Sequence, residues 1–123
     1  MKEESISRYP WADFGRVAVR FLRGELSRTE FAEEYWDAFR RMQDLEEKFS
    51  KEVYSQIASL TMEESNRIWH ETSATNHLQD VLGELVLDTD AYLAGDVPEA
   101  EFEEEIIPKI RRLAKGIAEL GYI

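Results

Sequence analysis

The chain contains no cysteine. That excludes a disulfide framework, a thiolate zinc site and a cysteine nucleophile. Histidine is almost as scarce, with His70 and His77 alone. No stretch approaches the roughly 20 apolar residues that a membrane span needs, and the start, Met1-Lys2-Glu3-Glu4-Ser5, lacks the apolar run of a signal peptide. The six glycines are scattered, so there is neither a glycine-rich phosphate loop nor a Gly-x-Ser-x-Gly elbow. These absences point to a cytoplasmic protein without cofactor, catalytic residues or membrane attachment.

The most informative absence is that of positive charge. Between Arg67 and Lys109 there is no Lys or Arg, while Glu71, Asp80, Glu84, Asp88, Asp90, Asp96, Glu99, Glu101, Glu103, Glu104 and Glu105 fall in that window. These acids equal the whole formal net charge of −11, and the rest of the chain is neutral. Such a field repels nucleic acid and anionic lipid and attracts a basic surface. A solvated face that only keeps the domain soluble is the competing explanation.

What is present is helical periodicity. A chain of 123 residues, 43% hydrophobic, is one domain with enough apolar matter for a core. Phe31, Tyr35, Ala38, Met42, Leu45 and Phe49 step by four and three, forming one apolar stripe. Trp11, Phe14, Ala18 and Phe21 mark an earlier helix. Leu78, Leu82, Leu85, Thr89 and Tyr92 mark a third, and Phe102, Ile106, Ile110, Leu113, Ile117 and Leu120 a fourth. Gly24, Gly95 and Gly121 stand where helices end. Ser27 to Glu30 and Thr61 to Glu64 read as capping boxes. Pro98 suits a first helical turn, and Asn76 with Gln79 suits a cap. The expectation is all-α: an antiparallel bundle of four main helices in a single domain over residues 1–123. One or two short extra helices are expected between Ser50 and Glu71.

Two segments echo one another. Phe21-Leu22-Arg23-Gly24-Glu25-Leu26 leads to Glu30-Phe31, and Tyr92-Leu93-Ala94-Gly95-Asp96-Val97 leads to Glu101-Phe102. Each is a helix, a glycine stop, a short turn and an acidic helix start, which is αα-hairpin chemistry. Convergence on that chemistry accounts for the echo without duplication.

Sites of reaction are weakly supported. His70 and His77 lie too far apart for ligands on adjacent helical turns, and the residues three before them are Arg67 and Ala74, so Glu-x-x-His fails twice. A metal-dependent enzyme using those histidines is therefore the least favoured reading. The carboxylates carry more. Asp80, Glu84 and Asp88 line up at four-residue spacing, where like charges destabilise a helix by a few tenths of a kcal/mol, roughly. Asp88 and Asp90 come late in their helix, where the dipole disfavours acids. A local cost without local gain points to function. Trp36 and Phe39 sit off the apolar stripe, and an exposed Trp beside acids makes an interface anchor.

The segment Phe21-Leu22-Arg23-Gly24-Glu25-Leu26-Ser27, followed by Glu30-Phe31 and Tyr35-Trp36, resembles the opening hairpin of colicin D-type immunity proteins. Asp88-Thr89-Asp90-Ala91-Tyr92 looks like the Asp-Ala-Tyr that closes a later helix there. The resemblance implies an antiparallel helical bundle that binds a ribonuclease toxin, expected to be a tRNase, and covers its basic cleft in place of RNA phosphates. The expected partner is that toxin domain, bound by a monomer in a 1:1 complex, with no nucleic acid and no membrane. No motif fixes the register of the family's contact acids here, so the acidic window itself supplies the candidates: Asp80, Glu84, Asp88, Asp90, Asp96, Glu99 and Glu103. A structural helical adaptor or dimerisation module with no toxin partner is the alternative.

Overall fold

The computed structural model describes residues 10–56, 61–64, 66 and 75–123. Among them no strand occurs. Helix α1 spans Trp11–Leu22, α2 Arg28–Gln56 and α3 Asn76–Leu93. A last helical rod begins as α4, Glu99–Glu101, widens into a π-helical segment at Phe102–Ile106, and continues as α5, Ile107–Glu119. The helices close into a ring: α1 packs on α2, α2 on α3, α3 on α5, and α5 back on α1. The short turns and the Arg28–Glu99 contact place the end of α1, the start of α2, the end of α3 and the start of α4 together. All neighbours in the ring are therefore antiparallel, which confirms the expected architecture.

The hairpin turns form because glycine reverses the chain at the right residue. Gly24 has φ +80° and Gly95 φ +85°, a left-handed conformation that side chains disfavour. In the first turn the Gly24 N–H donates to the Phe21 carbonyl (3.0 Å) and the Glu25 N–H to that of Arg20 (2.8 Å). In the second, Gly95 donates to Tyr92 (3.0 Å) and Asp96 to Ala91 (2.9 Å). Both are the paired bonds of a Schellman stop. After the first turn, Ser27 and Glu30 cap α2 reciprocally, with Ser27 N–H to Glu30 Oε1 at 2.8 Å and Glu30 N–H to Ser27 Oγ at 3.0 Å. The expected box at Thr61 and Glu64 is made in the same way.

Two local expectations are corrected, and one feature is added. Thr75, not Asn76, occupies the residue before α3, and the Gln79 side-chain amide donates to Thr75 Oγ1 at 2.9 Å. Pro98 lies just before α4 with extended ψ, its carbonyl accepting from the Phe102 N–H at 3.0 Å. The π-helical segment was not foreseen. Its sequence cause is Pro108, which has no N–H and whose ring would press on the Glu104 carbonyl in a regular helix. The chain relieves this by one wider turn, in which the Ile107 N–H reaches the Phe102 carbonyl. The expected short helices between Ser50 and Glu71 lie mostly outside the described residues: α2 runs on to Gln56 and residues 62–64 are helical. Trp69 and His70 are also outside them, as is the Phe49 side chain.

The wide turn behaves as an inserted residue. Up to it, the two hairpins match at a spacing of 71: Phe14 with Leu85, Ala18 with Thr89 and Phe31 with Phe102 are all fully buried. Beyond it the spacing becomes 72, pairing Ala38 with Ile110 and Met42 with Ala114, again all buried. The bundle thus has an approximate two-fold axis, with α1 matching α3 and α2 matching the last rod.

The core is dominated by aromatic rings in series. Phe14 and Tyr35 centroids are 5.2 Å apart, Tyr35 and Phe31 5.6 Å, Phe31 and Phe21 5.1 Å, Phe21 and Phe102 5.9 Å, and Phe102 and Tyr92 4.9 Å. Of the expected stripe residues, Phe21, Leu45 and Tyr92 are only half-buried and Leu120 is exposed. Two buried hydroxyls bond to backbone carbonyls. Tyr35 donates its hydroxyl to the Leu82 carbonyl at 2.9 Å, and Thr89 donates to the Leu85 carbonyl at 2.8 Å. Burial, then the negative charge of Asp88, raises the Tyr35 hydroxyl well above its ordinary range, so it remains a donor.

Replacing Tyr35 with Phe removes that bond and is expected to lower the unfolding free energy by about 1 kcal/mol, read from urea unfolding. A methyl group at Gly116 would meet the fully buried Leu78 side chain. Gly116→Ala is therefore expected to destabilise by roughly 1–2 kcal/mol despite its better helix propensity. An increase in the urea midpoint for either variant contradicts this packing.

Candidate interaction surface

The base-free window does not remain free of bases in three dimensions. Two cations from outside it return to it. Lys109 Nζ lies 2.8 Å from Asp88 Oδ2 and 3.2 Å from Glu84 Oε1, tying α3 to α5. Arg28, at the start of α2, places Nη1 2.6 Å from Glu99 Oε1 and Nη2 2.9 Å from Glu103 Oε1. Arg28 Nη1 also donates to the Glu99 carbonyl at 3.1 Å, and its guanidinium sits 4.9 Å above the Phe102 ring. The Tyr92 hydroxyl donates to the second Glu99 oxygen at 3.2 Å.

Four of the seven candidate acids, Glu84, Asp88, Glu99 and Glu103, thus have intramolecular partners. This corrects the sequence argument for Asp88: its late position in the helix is offset by Lys109. Asp80, Asp90 and Asp96 form no ion pair among the described residues and are exposed. Glu101, Glu104 and Glu105 are exposed as well.

Nor do the candidates form one patch. Glu84 and Asp88 face α5. Glu99 and Glu103 lie at the end where the hairpins turn. Asp80 is near the start of α3, about 20 Å along the helix from its end, and Asp96 lies in the turn beyond that end. Asp90 faces the other way, toward α2. There it borders a cleft of about 380 Å³ lined by Glu33, Trp36, Asp37 and Arg40 of α2 and by Asp90 and Leu93 of α3. Trp36 is half-buried and packs edge-on to Phe39, with centroids 5.4 Å apart and planes at 83°. Arg40 binds Asp37 at 2.8 Å. Sequence reasoning singled out Trp36 and Asp90 separately. Glu33 and Asp37 were missed, although their positions three before and one after Trp36 put all three on one side of α2.

His77 is exposed at the start of α3. No group of three or more His, Cys, Asp or Glu is arranged to hold a metal ion among the described residues. No helix of the described residues is long and apolar enough to cross a membrane. No family model, curated protein sequence or solved structure matches the chain.

The ion pairs have a pH signature. Burial lowers the affinity of Lys109 for its proton, but hydrogen bonds and attraction to Asp88 and Glu84 outweigh it and raise the ammonium above its ordinary value of 10.5. A raised folded-state value means that the pairing stabilises fully below the unfolded value. It is lost as pH climbs through the folded one. Lys109→Gln is expected to be less stable than the native chain by about 1 kcal/mol at neutral pH. The gap should close only above the ordinary lysine range, in parallel urea titrations. A gap that closes between neutral pH and pH 9 contradicts the assignment.

Proposed function

We propose that the chain is an immunity protein that binds a cognate bacterial nuclease toxin domain in the cytoplasm and masks its basic active cleft. The observation that carries this reading is the excess of carboxylate that the fold leaves uncompensated. Among the described residues, Arg28 and Lys109 are the two cations that reach the window, and Asp80, Asp90, Asp96, Glu101, Glu104 and Glu105 stay exposed without them. A nuclease cleft must be cationic to hold phosphates, so an exposed anionic helical surface competes for it by the same attraction. The helical hairpin beginning at Phe21 and its resemblance to colicin D-type immunity proteins agree with this function. The reaction masked is taken to be tRNA cleavage, and the complex a 1:1 pair without nucleic acid.

The free acids and the paired ones have different roles in this scheme. Glu84, Asp88, Glu99 and Glu103 hold the bundle and add field. Asp80, Asp90 and Asp96 meet the partner's Lys and Arg directly, where charge steers association. The test is co-expression with the toxin domain encoded beside this chain, then stopped-flow association. Combined neutralisation of Asp80, Asp90 and Asp96 to Asn is expected to slow association roughly tenfold at low salt. The difference should fade near 0.5 M salt, roughly, where charges are screened. Unchanged association, with the toxin still active in the presence of the chain, would leave a structural adaptor as the better description.

A further inference from the structure

We propose that the cleft between α2 and α3 receives one cationic side chain, a lysine or an arginine, of the partner protein, seated against the Trp36 indole. The inference deepens the immunity reading, from which it takes a cationic protein as occupant. The cleft combines an aromatic wall with carboxylates drawn from both helices. Trp36 packs edge-on to Phe39. Leu93, 42% exposed, supplies an apolar wall for the methylene stem of a long side chain. Glu33 lines the cleft from α2 and Asp90 from α3, and neither has an ion pair among the described residues. Arg40 is engaged by Asp37 and leaves those two carboxylates uncompensated.

A cation over an indole face is the strongest form of cation–π attraction, and Arg additionally stacks its planar guanidinium. Carboxylates on opposite walls complete what a guanidinium or ammonium requires. The lining favours this occupant over a neutral organic ligand, because three carboxylates, Glu33, Asp37 and Asp90, face a single cation, Arg40, and leave the cleft with a negative excess. The position also explains Asp90. It comes late in α3, where the helix dipole disfavours it, and unlike Asp88 it pairs with no cation among the described residues.

The experiment uses the whole chain, labelled with ¹⁵N, and a tetra-arginine peptide as probe, with a glycine–serine peptide of equal length as control. The indole N–H resonance of Trp36 is identified by its loss in Trp36→Phe. The expected result is a saturable shift of that resonance with tetra-arginine and not with the control peptide, the other two indoles staying in place. In the Glu33→Gln/Asp90→Asn variant, binding is expected to weaken roughly fivefold. Both substitutions are exposed, and helicity by circular dichroism checks that the variant is folded. A Trp36 indole that does not move, or that moves equally in the variant, overturns the proposal. The same variant tested against the cognate toxin domain separates the two readings. If the toxin binds it as tightly as the native chain, the cleft assignment fails and the immunity reading stands. If no basic toxin domain binds the native chain but the peptide still seats at Trp36, the immunity reading fails and the cleft stands.

Discussion

The guanidinium of Arg28 closes the bundle at the end where both hairpins turn. It lies over Phe102, the ring that joins the two hairpins in the core, and reaches two carboxylates one turn apart on the last helical rod. Without a cation there, Glu99 and Glu103 would repel each other at the point where the chain must begin a helix and bury Phe102. Lys109 does the same between α3 and α5 for Glu84 and Asp88. A stretch of over forty residues without a base is tolerated because these two residues, placed just outside the stretch by sequence, come back to it in space. Their reach also decides which acids are left for other molecules.

The residues left over give the molecule an electrical direction. Helix α1 stands diagonally across the ring from α3, and its Arg16 and Arg20 are balanced by Asp13 and by Glu25 and Glu34. The α3 side carries Asp80 and Asp90. A polarised molecule of this kind presents one side first to a cationic surface, which raises the fraction of encounters that are productive.

Much of this was legible in the sequence because helices and their ends are local. The four apolar stripes, the glycine stops at Gly24 and Gly95 and the boxes at Ser27 and Thr61 depend on residues within four of each other. The π-helical turn was legible too, in Pro108, but only to a reading that asked which carbonyl that ring would strike. The ion pairs were not. Arg28 meets Glu99 across 71 residues and Lys109 meets Asp88 across 21, and nothing in periodicity connects them. The acidic window therefore looked like one patch, when α3 in fact sends Glu84 and Asp88 to one neighbour and Asp90 to the other. The cleft at Trp36 depends on that same division, since its walls come from two helices separated by a connection of twenty residues or so in sequence.

The approximate two-fold axis has a further meaning for self-recognition. Arg28 and Glu99 hold equivalent places in the two hairpins, one cationic and one anionic, and they touch across the axis. A first hairpin docked on a copy of itself would set arginine against arginine, and a second hairpin docked on its own copy would set glutamate against glutamate. Each half is thereby steered toward the other half and away from its twin, so the charge at one equivalent position discourages the pairing of identical hairpins, which the similar burial pattern of the two halves would otherwise allow.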